Sequence, residues 1–160
     1  MDEQQHTISV LVANKFGALA RIAGLFSGRG YNIESLTVNR THNPELSRMT
    51  IVTTGNDAVL EQIEKQLSKL VDVESVVDLD SSDYVERELV LIKVCAPSDR
   101  RQEILSLVDI FGAKIPLVQK DRIVVEFSGS SRKVENFIAL ISDYGIIEVA
   151  RSGRTAISRK

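Results

Sequence analysis

An α+β fold of two tandem βαββαβ units, the ferredoxin-like arrangement, is what this 160-residue sequence predicts. Three observations lead there. Short apolar–polar alternations mark strands, and stripes of apolar residues at 3.6-residue spacing mark helices. They follow in the order strand, helix, strand, strand, helix, strand. That order then occurs a second time, although the two halves share little residue identity. Each copy has ~70 residues, near the small end for an independent core.

The first copy begins with Thr7-Ile8-Ser9-Val10-Leu11-Val12-Ala13, where Ile8, Val10 and Val12 alternate with Ser9 and Ala13. Asn14-Lys15-Phe16-Gly17 breaks this strand. A helix follows with Leu19, Ile22, Ala23 and Phe26 on one stripe, ended by Gly28 and Gly30. Ile33 to Val38 is the next strand. His42-Asn43-Pro44-Glu45 is a turn, and Arg48 to Thr53 is the hairpin partner. Gly55-Asn56-Asp57 caps a helix whose Leu60, Ile63, Leu67 and Leu70 face inward. Val73 to Leu79 closes the unit.

Asp80-Ser81-Ser82-Asp83 reads as a linker, so the domains are expected at 1–80 and 84–160. In the second copy, Arg87 to Ala96 is a strand and Pro97-Ser98-Asp99 opens a helix with Ile104, Leu107, Val108 and Phe111 inward. Ala113 to Val118 and Arg122 to Phe127 are strands. Pro116 removes a ladder donor, which places the first of these at a sheet edge. Ser130-Ser131 caps a helix carrying Val134, Phe137, Ile138 and Ile141; Gly145 ends it, and Ile146 to Ala150 is the final strand.

Composition excludes several classes. Apolar residues are 43% and charged residues 26%, as in ordinary globular proteins, and the net charge is -2. A nucleic-acid binder held by phosphate contacts carries a basic excess that is missing here. The polar, acidic start Met1-Asp2-Glu3-Gln4-Gln5-His6 is not a signal peptide, and no apolar run reaches the ~20 residues of a membrane span. A cytoplasmic protein is expected. The single cysteine, Cys95, reads as a small buried hydrophobe in the run Leu89 to Cys95.

Catalytic chemistry finds few residues. The two histidines, His6 and His42, fall in a tail and a turn and are expected to be solvated. With one cysteine they make no metal-ligand spacing and no well-placed triad. The glycines Gly24, Gly28 and Gly30 fit neither phosphate-loop spacing and lie at a helix end, where the dipole repels anions. Ser131-Arg132-Lys133 puts cations at a helix start, which reads either as a solvated turn or as a contact with an acidic partner surface.

The remaining candidate is the connection Ala13 to Leu19. A helix N-terminus exposes free N–H groups and a partial positive charge, suited to a carboxylate. Gly17 permits close approach of a ligand to the backbone, and Asn14 offers an amide with donors and acceptors. Asn32, after the helix, is a further candidate. On these features alone a glycine needed only for the turn is an equal reading.

The stretch Gly24 to Val38, GLFSGRGYNIESLTV, resembles the small regulatory subunit of acetohydroxyacid (acetolactate) synthase. So do Leu46 to Thr53, Gln62 to Val73, Val85 to Leu89 and Ile147 to Gly153, in the family's own order along nearly the whole chain. The resemblance implies that the first unit is an ACT domain, whose N-x-x-G turn binds an amino-acid effector, usually valine. It places Asn14, Gly17, Ala18 and Leu19 in that turn, and Asn32 and Ile33 in the segment completing the site from a second chain. It implies a homodimer through the ACT domains and a large catalytic subunit as partner. That subunit is expected to carry thiamine diphosphate, magnesium and FAD, with no cofactor or metal in this chain. Valine feedback on branched-chain amino acid biosynthesis follows as the implied role. Two departures stand out. Lys15 replaces a frequent acidic residue and is set aside as water-facing, and Ile115-Pro116-Leu117-Val118 lacks the family's Asp.

An RNA-binding module, the runner-up, would need aromatics on the sheet face. Aromatics are only 5%, and Tyr31, Phe16 and Phe26 lie at helix ends or on a helix stripe. A small enzyme on this fold is the third reading and lacks a catalytic set.

Overall fold

The computed structural model describes residues 4–80 and 83–160. Ser81 and Ser82 of the expected linker, and Met1 to Glu3, lie outside the described residues.

In the first unit the elements are β1 (Gln4–Ala13), α1 (Ala18–Gly28), β2 (Ile33–Arg40), β3 (Leu46–Gly55), α2 (Asp57–Ser68) and β4 (Val73–Asp78). The antiparallel sheet has the order β2-β3-β1-β4, with Ile8 opposite Ile51 and Val10 opposite Met49. These residues share one face, because side chains alternate along a strand. They pack against Ile22 and Phe26 of α1 and Leu60, Ile63 and Leu67 of α2. Each such buried side chain contributes roughly 1.5–3 kcal/mol. The Asn56 side chain accepts the Val59 N–H at 3.0 Å, the expected cap of α2.

The first strand is longer than the alternation predicts. Gln4 to His6 pair with Thr53 to Gly55, and His6 is 5% exposed, with its Nε2 3.1 Å from the Gly55 carbonyl. The expected solvated histidine is thus a buried one. The ladder with β3 carries polar residues into the strand, since pairing overrides local propensity.

The second unit repeats the pattern with β5 (Tyr84–Cys95), α3 (Arg101–Phe111), β6 (Lys114–Val118), β7 (Arg122–Gly129), α4 (Ser131–Ser142) and β8 (Ile146–Arg151). Its order is β6-β7-β5-β8. Proline-bearing β6 is an edge, and its register shifts between Lys114 and Leu117. Val90, Ile92 and Val94 face Ile104, Phe137 and Ile141 in the core. Cys95 is exposed, contrary to the buried reading, because alternation puts it on the face opposite Val94. Gly112 ends α3 at φ 65, a left-handed conformation that glycine adopts without a Cβ clash. Ser130 caps α4 by accepting the Lys133 N–H. Glu88, 4% exposed, receives Arg151 Nε at 2.5 Å and Nη2 at 3.1 Å, and Arg151 also reaches Glu135 at 2.6 Å. Those two carboxylates, Glu88 first, raise the Arg151 pKa further above the solution range.

One strand was not expected. β9 (Thr155–Ser158) returns to the first unit, which comprises the chain up to Glu86 together with Arg154–Lys160; the second unit is Arg87–Gly153. The expected domain of 84–160 therefore differs from the compact units at both ends. The reason lies on the helix-free face of the first sheet, where Thr7 and Thr50 are buried under residues 154–156.

Candidate functional site

The β1–α1 turn is built by three hydrogen bonds that pull it onto neighbouring elements. The Asn14 N–H donates to the Glu45 carbonyl at 2.8 Å, and Asn14 Nδ2 donates to the Pro44 carbonyl at 2.9 Å. The Ala13 N–H donates to the Asp72 carbonyl at 2.7 Å. The turn is thus fixed between the β2–β3 hairpin and the start of β4. Arg21 of α1 adds an ion pair with Asp72.

The start of α1 differs from those of α2 and α4. Gly17 is its N-cap at φ 82 and no side chain caps it; its first turn, like that of α4, has no acidic residue. The Ala18 N–H turns back to the Lys15 carbonyl at 3.3 Å, and Arg21 begins the helical ladder by donating to Gly17 at 3.0 Å. Helix geometry leaves the Leu19 and Ala20 N–H groups without a carbonyl partner of their own. The partial positive charge of the helix end is therefore not neutralised from within the helix.

Beside it lies a groove of about 320 Å³. Asn14, Lys15, Ala18 and Leu19 form one side with Val12 and Ala13. The other side is Val38, Asn39 and Arg40 of β2 with Ser47 and Met49 of β3. Val12, Ala18 and Met49 are buried and make an apolar floor; Lys15 and Arg40 are exposed cations among the lining residues. The groove can hold a small molecule with an anionic head and a short apolar side chain.

Among the six residues singled out from the sequence, the structure brings Asn14, Ala18 and Leu19 together at this groove. Gly17 sits beside it as the helix cap without lining it. Asn32 and Ile33 do not join it. The Asn32 carbonyl accepts the Thr53 hydroxyl at 2.6 Å, and Ile33 lies opposite Thr53, whereas Val38 lies opposite Met49. Val38 lies five residue steps beyond Ile33, roughly 17 Å at ~3.3 Å each. Lys15, set aside as water-facing, lines the groove. Val38, Asn39, Arg40, Ser47 and Met49 went unread; only the hairpin register, which pairs Arg40 with Ser47, places them there.

A second cluster offers ligand atoms of another kind. His6, Asp78 and Asp80 each present one within 4.8 Å of the others. They also tie the end of β4 to its neighbours. Asp80 accepts the Thr7 N–H and the Tyr84 hydroxyl, and Asp78 accepts the Asp80 N–H at 3.0 Å. No helix among the described residues is long and apolar enough to cross a membrane.

The comparisons with known proteins divide the chain at the same first boundary as the fold, but the second match also takes in residues 154–160, which fold with the first unit. Residues 8–75 match the family model of the AHAS small subunit-like ACT domain, and residues 87–160 match that of the small subunit of acetolactate synthase. The chain is 52% identical over 155 residues to the probable acetolactate synthase small subunit of Archaeoglobus fulgidus, covering 97% of each. It is 51% identical over 153 residues to the acetolactate synthase isozyme 3 small subunit of Escherichia coli, covering 95% of this chain and 94% of that one. The crystal structure of the acetolactate synthase small subunit from Thermotoga maritima superposes with a TM-score of 0.88 at 42% identity, covering 98% of both chains. With its two βαββαβ units, the first an ACT domain, the chain belongs to the acetolactate synthase small-subunit family.

Proposed function

We propose that this chain is the valine-sensing regulatory subunit of acetolactate synthase, activating a large catalytic subunit and making it sensitive to feedback by valine. The observation that carries the reading is the uncapped start of α1 opening beside the groove. The valine carboxylate sits at the Leu19 and Ala20 N–H groups, with Lys15 and Arg40 adding positive charge. Asn14 supplies its amide oxygen to the ammonium, since its nitrogen is committed to Pro44. Val12, Ala18, Val38 and Met49 receive the isopropyl group. Thiamine diphosphate, magnesium and FAD belong to the catalytic subunit in this reading. The RNA-binding alternative gains no support, because Phe26 is buried and Tyr31 packs edge-on against it at 6.2 Å between ring centres.

Asn32 and Ile33 enter from a second copy, which the distance between them and the groove within one chain favours. A ligand of about eight heavy atoms at ~0.7 kcal/mol per atom gains about 6 kcal/mol, a Kd of order 10⁻⁵ M. A site shared by two chains makes valine favour the dimer by mass action. Sedimentation of the full chain near its dimer dissociation constant, with and without valine, is expected to show tighter association with valine. A dimerisation constant unmoved by saturating valine rejects the shared site. Undiminished affinity in Asn32→Ala removes that residue from it. Leucine and isoleucine differ from valine by one methylene, worth only ~1–3 kcal/mol, so they belong in the same titration.

Activity gives a further check. The purified chain alone is expected to form no acetolactate from pyruvate, and to raise the rate of an added large subunit in a valine-sensitive way. Pyruvate turnover by the chain alone would overturn the regulatory assignment.

A further inference from the structure

The helix-free face of the first sheet carries a row of hydroxyl side chains. Ser35 and Thr37 lie on β2, Thr50 on β3, and Thr7 and Ser9 on β1. Thr7, Ser9 and Thr50 are buried. What these groups bond explains the burial. The Arg154 N–H donates to Ser35 Oγ at 3.2 Å, and the Thr37 hydroxyl donates to the Arg154 carbonyl. The Arg154 guanidinium donates to Thr7 Oγ1 at 2.7 Å and to Gln5 Oε1 at 3.0 Å. The Ala156 N–H donates to Thr50 Oγ1 at 3.2 Å, and Arg48 donates to Ser9 Oγ at 2.8 Å. One residue, Arg154, thus ties β2 to β1 across the middle strand β3.

This seat is mostly polar, with buried Val52 set opposite both Thr7 and Ser35 on the same face. Ala156 is buried, but Ile157 is 62% exposed. When residues 154–156 lift away, every hydroxyl they leave can be hydrated, so detachment strands no desolvated donor. β9 also pairs with β5, and Arg159 pairs with Asp83 at 2.8 Å, so in this strap the polar seat of residues 154–156 is the part that opens and closes while those ties anchor the segment's far end.

The strap touches the sheet at a telling place. Thr37 immediately precedes Val38, Asn39 and Arg40, the β2 residues that line the groove. Any movement of that strand end on filling the groove is delivered to the Arg154 carbonyl through one hydroxyl. Glu34, earlier on the same strand, is held below the usual carboxylate range first by the Thr54 hydroxyl, then by Gln5, with the Arg154 charge contributing. From Arg154 the chain runs back, through Gly153, into the second unit.

We propose that residues 154–158 are a strap that reads β2, so that an effector in the β1–α1 groove tightens its seating on Ser35, Thr37, Thr50 and Thr7, and that Arg154 is the positioning residue through which the first unit signals its occupancy. The proposal rests on the groove being the valine site. Allostery of this kind is a coupling free energy carried by a two-state element, here strap seated or strap released.

Hydrogen exchange of the full chain, read by mass spectrometry with and without saturating valine, tests it. Exchange over 154–158 is expected to slow roughly fivefold or more, in the range of ordinary allosteric couplings. Thr37→Val keeps the β-branched shape and deletes the hydroxyl. It is expected to bind valine within about threefold of the parent, to lose the slowing at 154–158, and to weaken valine inhibition of the reconstituted enzyme without changing its uninhibited rate. Valine bound by calorimetry with exchange at 154–158 unchanged overturns the strap and leaves the groove standing. Full slowing in Thr37→Val overturns the route through that hydroxyl. No calorimetric binding of valine to the parent chain takes down the groove reading and the strap with it.

Discussion

Gly17→Asp is expected to abolish the response to valine while leaving the first unit folded. Gly17 holds φ 82, which costs an L-residue roughly 1–2 kcal/mol, with Asp and Asn the most tolerant. A Cβ there meets the end of the Arg21 side chain, Nη1 at 3.1 Å and Cζ at 3.8 Å, and Arg21, already paired with Asp72, is a cation that attracts the new carboxylate. At the N-cap, an aspartate accepts hydrogen bonds from the first-turn N–H groups and gains from the helix dipole, which offsets part of the strain. It therefore occupies the donors assigned to the valine carboxylate in the proposed site and repels that carboxylate. Losing a charge-assisted bond worth ~1.5–3 kcal/mol and adding like-charge repulsion predicts affinity weakened roughly a hundredfold or more. Gly17→Ala carries the strain without the charge and is expected to lose less than tenfold, about 1.4 kcal/mol. Calorimetry with valine and circular dichroism on both variants separate the effects. Normal valine inhibition in Gly17→Asp would move the site elsewhere, and loss of helix signal would make Gly17 structural.

The largest stability effect is expected at Phe137. Its ring is fully buried, 4.9 Å from Phe111 and 5.0 Å from Phe127 between ring centres. Phe111 and Phe127 also meet edge-on at 5.7 Å, so three aromatic rings close one end of the second core. Phe137→Ala removes transfer energy and leaves a cavity, a combined loss of ~3–5 kcal/mol. Whole domains are stable by only about 5–15 kcal/mol, so the second unit is expected to unfold at much lower urea than the parent. Ile157→Ala, at an exposed position, is the control and is expected within ~0.5 kcal/mol. A loss below ~1 kcal/mol for Phe137→Ala would mean that the core closes around the cavity.

How much of this was legible follows from how local each signal is. The stripes Leu19–Ile22–Ala23–Phe26 and Leu60–Ile63–Leu67–Leu70 and the alternation Ile8–Val10–Val12 each name a face; the structure buries Ile22, Phe26, Leu60, Ile63, Leu67 and the three strand residues, half-buries Ala23 and Leu70, and leaves Leu19 exposed at the helix start. Asn56 and Ser130 cap helices within three residues, so their roles are written locally. Cys95 and His6 were misread at strand ends, where burial depends on which face the neighbouring ladder selects. Asn14, Ala18 and Leu19 could be read because turn and helix start are contiguous. Val38 to Arg40 could not, since they reach the groove through hairpin register. Thr155 to Ser158 carry one short alternation, too little to mark a strand. Their seat of scattered serines and threonines has no pattern until the partner is known.

The return of residues 154–160 to the first unit has a consequence for synthesis. The ribosome adds about 5–20 residues per second, so Arg87 to Gly153 takes several seconds to emerge after the first unit's helices and four strands are already out. For that interval the sheet waits with its cover unmade. An apolar face left open so long would invite aggregation. Here Thr7, Ser35, Thr37 and Thr50 surround the apolar Val52 with hydroxyls that water satisfies until Arg154 arrives. The first unit is therefore finished only after the second unit has been translated, and a nascent chain stopped short of Arg154 carries an unsealed sheet.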